Sequence, residues 1–376
     1  MFRRLATTLA ISTAVVMSQK PVFAQGKEHH DGKGFKNPWP SFVSYGFLDA
    51  FKMFTTADTS IMSAKPVDKP ETVEINWNLL KQKDDHIHAT WLGHACMFLQ
   101  IKGFNVLLDP IFSDRCSPVQ FAGPKRYTDP PCKLSELPPI DAVIISHNHY
   151  DHLDVDTVNQ LAKLYPECKF YVPLGNKSWF KLPEDRVIEL DWWETATLQN
   201  STTQLTMTCT PCQHFSGRGL FDRNKTLWAS WCIQAQKDGE VQKVFFGGDT
   251  GYRAVPADTK PEFQYDTQYL DTLPHCPAFK EIGEKMGPFD LAFIPIGAYS
   301  PRWFMSPIHC SPEDAVELHC DIKSKQSIGI HWGTFILTDE PLFEPPKRLK
   351  AAMEKRGLDA QHFNVLPLGG TFTVNQ

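Results

Sequence analysis

Residues 142–164 restrict this chain more than any other stretch. Ala142-Val143-Ile144-Ile145 has the length and β-branching of a buried strand. Val158, Leu161 and Leu164 then recur at helical spacing behind Asp154, a candidate N-cap. The loop that joins them reads Ser146-His147-Asn148-His149-Tyr150-Asp151-His152-Leu153. A strand-to-helix loop is a place where side chains are displayed on a rigid scaffold. Neutral imidazole and carboxylate are the ligands of zinc, and also of iron and manganese. Alternation of an extended backbone puts His147 and His149 on one side, so both can reach a single ion. Asp151 and His152 come after the chain has begun to turn and are placed to serve a second ion. The competing reading is a polar surface loop with chance histidines, which the H-x-H-x-D-H order behind a hydrophobic strand argues against.

Four residues do not close a two-metal site, and the rest of the set is sought at other strand ends. His214 follows the candidate strand Gln204 to Cys209, Asp249 follows Val244-Phe245-Phe246, and His331 follows Ser327-Ile328-Gly329-Ile330. A lone histidine is more often a polar partner than a ligand; the shared strand-end position is what groups these three with the loop. Further strands are expected over residues 169–173, 187–190, 227–234 and 291–296, and helices over residues 280–286 and 312–322, with Pro312 at N1 after Ser311. Residues 89–101 and 104–110 read as two strands of one hairpin around Lys102-Gly103. Strand-rich runs with intervening helices in each half predict an α/β sandwich, with the metal site where the strand ends converge.

A formal net charge of -5, from 43 acidic and 38 basic residues, leaves no global basic field for nucleic acid. The N-terminus reads as an address. Phe2-Arg3-Arg4, the apolar run Leu5 to Met17, and Val22-Phe23-Ala24 predict a signal peptide over residues 1–24 and export to the periplasm or beyond. A mitochondrial presequence is the alternative, because the segment carries Arg, Ser and Thr and has no acid before Glu28. No later apolar run reaches about eighteen residues, so no spanning segment is expected.

Residues 25–70 are expected as a lead-in. Gln25 to Lys36 reads as flexible, and Phe47, Leu48, Phe51 and Phe54 form one stripe on a short helix, either core packing or a face for a lipid surface. Residues 71–376 are expected as the catalytic domain. Cys209-Thr-Pro-Cys212 lacks a second pair and is expected to supply buried thiols at a strand end.

The loop resembles the metal motif of the metallo-β-lactamase superfamily. The resemblance extends through Asn37-Pro38-Trp39-Pro40, Trp91-Leu92-Gly93-His94, Asp109-Pro110-Ile111-Phe112, Asp191-Trp192-Trp193, Gly248-Asp249-Thr250-Gly251-Tyr252, Pro301-Arg302-Trp303-Phe304-Met305 and His331-Trp332-Gly333-Thr334. These words resemble the N-acylphosphatidylethanolamine-hydrolysing phospholipases D. The resemblance implies an αβ/βα sandwich of two mixed sheets flanked by helices, with two Zn2+ ions. His147, His149 and His214 would hold one ion, Asp151, His152 and His331 the other, and Asp249 would bridge them. Asp151 would also orient the attacking water, and His309 would contact the substrate phosphate; the plain reading of His309 is a helix-flanking residue beside Cys310. The implied reaction releases phosphatidic acid and a fatty acid ethanolamide. It implies a phospholipid substrate and peripheral contact with a membrane surface, and no nucleic acid, with a homodimer as one option for assembly.

Two departures bear on substrate preference. Ile308 stands where the family usually has Gln, and residues 253–276 read as an insertion. Alternatives on the same metal residues are a lactonase, a thioester hydrolase or a nucleic-acid phosphodiesterase, and outside enzymes a lipid-binding or zinc-dependent structural protein.

Overall fold

The computed structural model describes residues 14–17, 27–56, 69–82 and 84–374. Continuously apolar runs become strands, and one-sided apolar runs become the helices that cover them. The first half holds β1 (Ala14–Met17), α1 (Phe47–Thr56), β2 (Ile87–Gly93), β3 (Cys96–Ile101), β4 (Phe104–Leu108), β5 (Ala142–Ile144), α2 (Val155–Leu164), β6 (Lys169–Pro173) and β7 (Val187–Leu190). The second holds β8 (Thr195–Gln199), β9 (Thr203–Thr210), β10 (Ser230–Lys237), β11 (Glu240–Phe246), α3 (Ala278–Lys285), β12 (Leu291–Pro295), α4 (Arg302–Met305), α5 (Pro312–Asp321), β13 (Ser327–Ile330), α6 (Glu344–Lys355), β14 (Phe363–Asn364) and β15 (Thr371–Val374).

The strands pair into two sheets, ordered β15-β2-β3-β4-β5-β6-β7 and β1-β8-β9-β10-β11-β12-β13-β14. Both begin antiparallel and turn parallel, from β4 onward in the first and from β11 onward in the second. Parallel neighbours need crossovers; α2, α3, α5 and α6 lie in four of the six, and irregular segments with short 3-10 turns join β4 to β5 and β6 to β7. Val158 and Leu161 of α2 pack on Phe98, Val143 and Phe170 outside the first sheet. Between the sheets, Trp91, Leu99 and Ile144 meet Met207, Trp231 and Phe246. This is the mixed two-sheet sandwich with flanking helices expected from the resemblance.

The structure corrects the hairpin. Residues 89–101 are two strands, β2 and β3, that reverse around Gly93-His94-Ala95, with the register shifting between Trp91 and Gly93. Positive φ at Gly93 (106°) and His94 (54°) allows the reversal. The Lys102-Gly103 turn does join β3 to β4, with positive φ at both residues, the geometry that suits a two-residue hairpin.

The lead-in is also corrected from residue 27 onward, where the chain is pinned. His29 Nε2 and His30 Nε2 donate to the two oxygens of Asp191 at 2.7 and 2.9 Å, and Lys27 Nζ lies 2.8 Å from the same carboxylate. Phe35 is buried in the core, and Trp39 stacks on Trp192 at 5.5 Å. Of the expected leader, Ala14–Met17 pairs antiparallel with β8 as an edge strand; the other residues of 1–24 lie outside the described residues. No described helix is long and apolar enough to cross a membrane. Leu48 and Phe51 of α1 are exposed, so these two positions of the predicted stripe do not pack into the core.

Candidate metal centre

The parallel register of β4 and β5 builds the base of the site. Leu108 pairs with Ile144, so the residues just beyond them, Asp109 and Ile145-Ser146, emerge together. Asp109 accepts the Ser146 amide at 2.7 Å and the Ser146 hydroxyl at 2.5 Å, and it accepts His152 Nδ1–H at 2.6 Å. The loop that follows is held at its far end by Asp154, which caps α2 through the amides of Asp156 and Thr157, as the sequence predicts. β11 ends in Gly247-Gly248-Asp249, and a Cβ on Gly248 would lie 2.4 Å from the Cβ of Ser146. Only glycine lets Asp249 come this close to the histidine loop.

All seven predicted ligands converge. His147 Nε2, His149 Nδ1 and His214 Nε2 face one another, with His149 Nδ1 2.7 Å from His147 Nε2 and 3.3 Å from His214 Nε2. Asp249 Oδ2 lies 3.8 Å from both His147 Nε2 and His214 Nε2 and 3.0 Å from His152 Nε2, while its Oδ1 lies 3.2 Å from His331 Nε2. Asp151 Oδ2 lies 3.4 Å from His152 Nε2 and 3.4 Å from His331 Nε2. Asp249 thus faces both halves of the set.

Outer contacts aim the rings. His214 donates from Nδ1 to the Ile308 carbonyl at 2.7 Å, and Ser146 Oγ meets His147 Nδ1 at 2.9 Å. His309, the predicted phosphate contact, reaches the same centre, its Nε2 3.9 Å from Asp249 Oδ2. Cys209 and Cys212 are buried thiols, as expected, and Cys212 Sγ donates to the Asp249 carbonyl.

Two residues that the sequence did not single out also belong here. His94 lies 3.0 Å from Asp151 Oδ2, and it groups with Asp151, His152 and His331 within ligand reach. Asp109 orients His152. Each stands at the end of a strand, the same signal that found His214, Asp249 and His331.

Three neutral imidazoles and two carboxylates suit a cation, while His331 must give up a proton to serve as a ligand. Burial lowers His147 well below the ordinary imidazole value, His149 to about 4 and His214 to about 3, which leaves three neutral imidazoles with free lone pairs. Burial alone would lower His331 too, but the Asp249 carboxylate and contact with Asp151 raise it to about 9. Burial works against the charge of Asp151 and Asp249, yet His152 and its neighbours hold both carboxyls well below the usual range. His152 Nε2, His331 Nε2 and Asp249 Oδ1 are buried with no hydrogen-bond partner. Buried polar atoms are nearly always satisfied, so this converging set fits a metal pair. Nitrogen and carboxylate ligands of this kind suit Zn2+ and can also take iron or manganese.

A cavity of about 830 Å³ opens beside the centre, with walls that include Tyr150, Phe215 and Ile308, the chain neighbours of His149, His214 and His309. Val43, Tyr45, Leu220 and Phe304 extend it to the surface.

A family model described as Beta-lactamase superfamily domain matches residues 104–332. Over 346 residues the chain is 39% identical to N-acyl-phosphatidylethanolamine-hydrolyzing phospholipase D 1 of Caenorhabditis elegans, covering 88% of this chain and 89% of that one. It is 33% identical over 273 residues to the mitochondrial N-acyl-phosphatidylethanolamine-hydrolyzing phospholipase D of Saccharomyces cerevisiae, covering 72% of this chain and 53% of that one. Among solved structures, an isothiocyanate hydrolase from Delia radicum gut bacteria shares the fold, with a TM-score of 0.51 at 16% identity, over 76% of this chain and 98% of that one.

Proposed function

The chain belongs to the N-acylphosphatidylethanolamine-hydrolysing phospholipase D family of the β-lactamase superfamily and is a metal-dependent phosphodiesterase; from that premise we propose that it cleaves N-acylphosphatidylethanolamine with two Zn2+ ions. Water adds to phosphorus, the bond from phosphorus to the ethanolamine oxygen breaks, and that oxygen leaves with a proton. The products are phosphatidic acid and an N-acylethanolamine. The observation that carries the reading is the junction of a converged ligand set with a wide, largely apolar-walled cavity.

In this reading His147, His149 and His214 hold one ion, Asp151, His152 and His331 hold the other, and Asp249 serves both. Bound there, the ions supply activated water at neutral pH and neutralise charge that develops on the phosphoryl oxygens. Asp151 orients the attacking water and accepts its proton at the carboxylate. Burial lowers His309 to about 3, so it is a neutral imidazole at neutral pH and donates one N–H to a phosphate oxygen. No side chain acts as a nucleophile. The cavity walls take the acyl chains.

A lipid with three acyl chains has to leave a bilayer, and exposed apolar side chains border the cavity. Leu220 lines it and is 90% exposed, its neighbour Phe221 is 92% exposed, and Leu48 and Phe51 project from α1. α1 sits against α4, where Lys52 Nζ lies 5.0 Å over the Trp303 ring. We place the membrane contact on this face. Trp39 stacks inward on Trp192 and is not part of it. For the address we propose export with removal of residues 1–24, which would leave β8 as the sheet edge; the name of the yeast relative favours the mitochondrial alternative, the N-terminal sequence of mature protein decides, and an intact Met1 rejects cleavage.

Metal analysis of purified protein, paired with turnover of N-acylphosphatidylethanolamine, phosphatidylcholine and a lactone, tests the assignment. Two zinc equivalents and turnover of the first lipid are expected. Turnover of the lactone alone would overturn it.

A further inference from the structure

His94 is a buried histidine held in an unfavourable backbone conformation, and the reading above gives it no role. Its φ is 54°, a left-handed value that L-residues with bulky side chains rarely adopt. Several contacts fix it there. The Thr334 hydroxyl accepts the His94 amide at 2.6 Å, and the His94 carbonyl accepts from Trp91 Nε1 at 2.9 Å and from the His331 amide at 3.1 Å. The ring lies 4.1 Å from that of His331 and meets Phe335 edge-on at 5.2 Å. The conformation is thus over-determined by its surroundings, the pattern expected where strain serves a site.

We propose that His94 is the positioning residue for Asp151, donating from Nε2 to Asp151 Oδ2 and thereby fixing which lone pair of that oxygen faces the ion. The contact is 3.0 Å long. The same oxygen lies 3.4 Å from both His152 Nε2 and His331 Nε2. A carboxylate oxygen has two lone pairs. His94 occupies one, and the other would be free to serve a cation held with His152 and His331. Metal-ligating carboxylates are commonly held by an outer hydrogen bond of this kind.

The second ring nitrogen is consistent with donation from Nε2. His94 Nδ1 is buried without a partner, and the residue lines a cavity of about 20 Å³ together with Thr338 and Glu340. That space is large enough for one water. Such a water can donate to Nδ1 and keep the ring proton on Nε2, where Asp151 requires it.

This inference rests on the two-metal reading, and its test separates the two. His94→Gln keeps an N–H donor at the distance of Nε2, whereas His94→Met has nearly the same shape and no donor; both carry the same backbone penalty. Metal affinity is measured by chelator competition, which needs no substrate, and kcat and KM are measured on N-acylphosphatidylethanolamine vesicles. For His94→Met we expect about 10–100-fold weaker binding of one metal and a comparable loss of kcat with KM little changed. For His94→Gln we expect recovery of most of that loss, and both variants should still bind two equivalents at saturating zinc. Equal losses in the two variants, or wild-type affinity in His94→Met, would overturn the positioning role. Binding of only one equivalent by both variants would also overturn it, because His94 would then be a ligand itself. If wild type fails to turn over the lipid, the reaction assignment falls while the contrast in metal affinity still decides the role of His94.

Discussion

His152 donates from Nδ1 to Asp109 Oδ2 across 2.6 Å, in a contact where both side chains are fully buried. The bond fixes the ring so that Nε2 faces Asp249, 3.0 Å away. Asp109 also holds the amide and hydroxyl of Ser146, so one carboxylate sets both the start of the histidine loop and one of its ligands. Asp109→Asn replaces one acceptor oxygen with a donor group that opposes a histidine N–H. We expect the variant to lose about 10–100-fold in metal affinity or turnover. Chelator competition and kcat on vesicles measure this, and a variant with unchanged affinity and rate would show that Asp109 does not orient His152.

Metal loading should release protons. His331 is raised to about 9 by Asp249 and Asp151 against the effect of burial, and His152 is raised well above its ordinary value by Asp249, Asp151 and Asp109. Below about 9 His331 carries a proton that an ion must displace, and the raised His152 adds to the same effect. Affinity therefore rises with pH through the neutral range. Calorimetry of zinc binding in buffers of different ionisation enthalpy should show net proton release at pH 7, and buffer-independent heats would contradict it.

The exposed face near the cavity gives a separable prediction. Leu48→Asp combined with Phe51→Asp puts two charges where the account places lipid, and neither residue is among the metal ligands. Vesicle partitioning should fall severalfold with metal content unchanged, and Leu220→Asp should act in the same direction. Sedimentation with N-acylphosphatidylethanolamine vesicles reads the effect; unchanged partitioning in both variants would remove this face from the account.

The clasp on Asp191 predicts a stability effect with a defined pH dependence. Burial works against its charge, but hydrogen bonds from His29 and Lys27 and the charge of His29 outweigh it and hold the carboxyl far below the usual range. A depressed carboxyl contributes fully above its unfolded value, about 3.9, and that contribution is lost as pH falls through the lower folded value. Asp191→Ala should cost about 2 kcal/mol near neutral pH, since it leaves the buried His29 ring without its acceptor. Urea midpoints should show the gap between variant and wild type narrowing below about pH 4. A gap of the same size at pH 3 would assign the loss to packing against Trp192 instead.

The sequence made most of the site legible because its ligands follow buried strands. Strand hydrophobicity and an abrupt polar residue are both local signals, and they mark His147, His149, His214, Asp249 and His331 without tertiary information. His94 escaped because residues 89–101 are apolar on both sides of it. The break between β2 and β3 depends on Thr334, 240 positions away, accepting the His94 amide. Asp109 falls within the predicted 104–110 strand, and its pairing with His152 follows from the parallel register of β4 and β5, which composition does not encode. Residues 27–36 fall in a stretch, Gln25 to Lys36, that reads as flexible because it is polar and Gly-rich. What orders them is one carboxylate, Asp191, more than 150 positions away, together with the burial of Phe35.

The central claim is attack of water on phosphorus at this centre, and the position of isotope in the products reports it most directly. Protein loaded with two zinc equivalents is given N-acylphosphatidylethanolamine in water enriched in oxygen-18, and both products are weighed by mass spectrometry. The account predicts one oxygen-18 atom in phosphatidic acid and none in the N-acylethanolamine. Label in the alcohol of the N-acylethanolamine, or no turnover by the fully loaded protein, would contradict it.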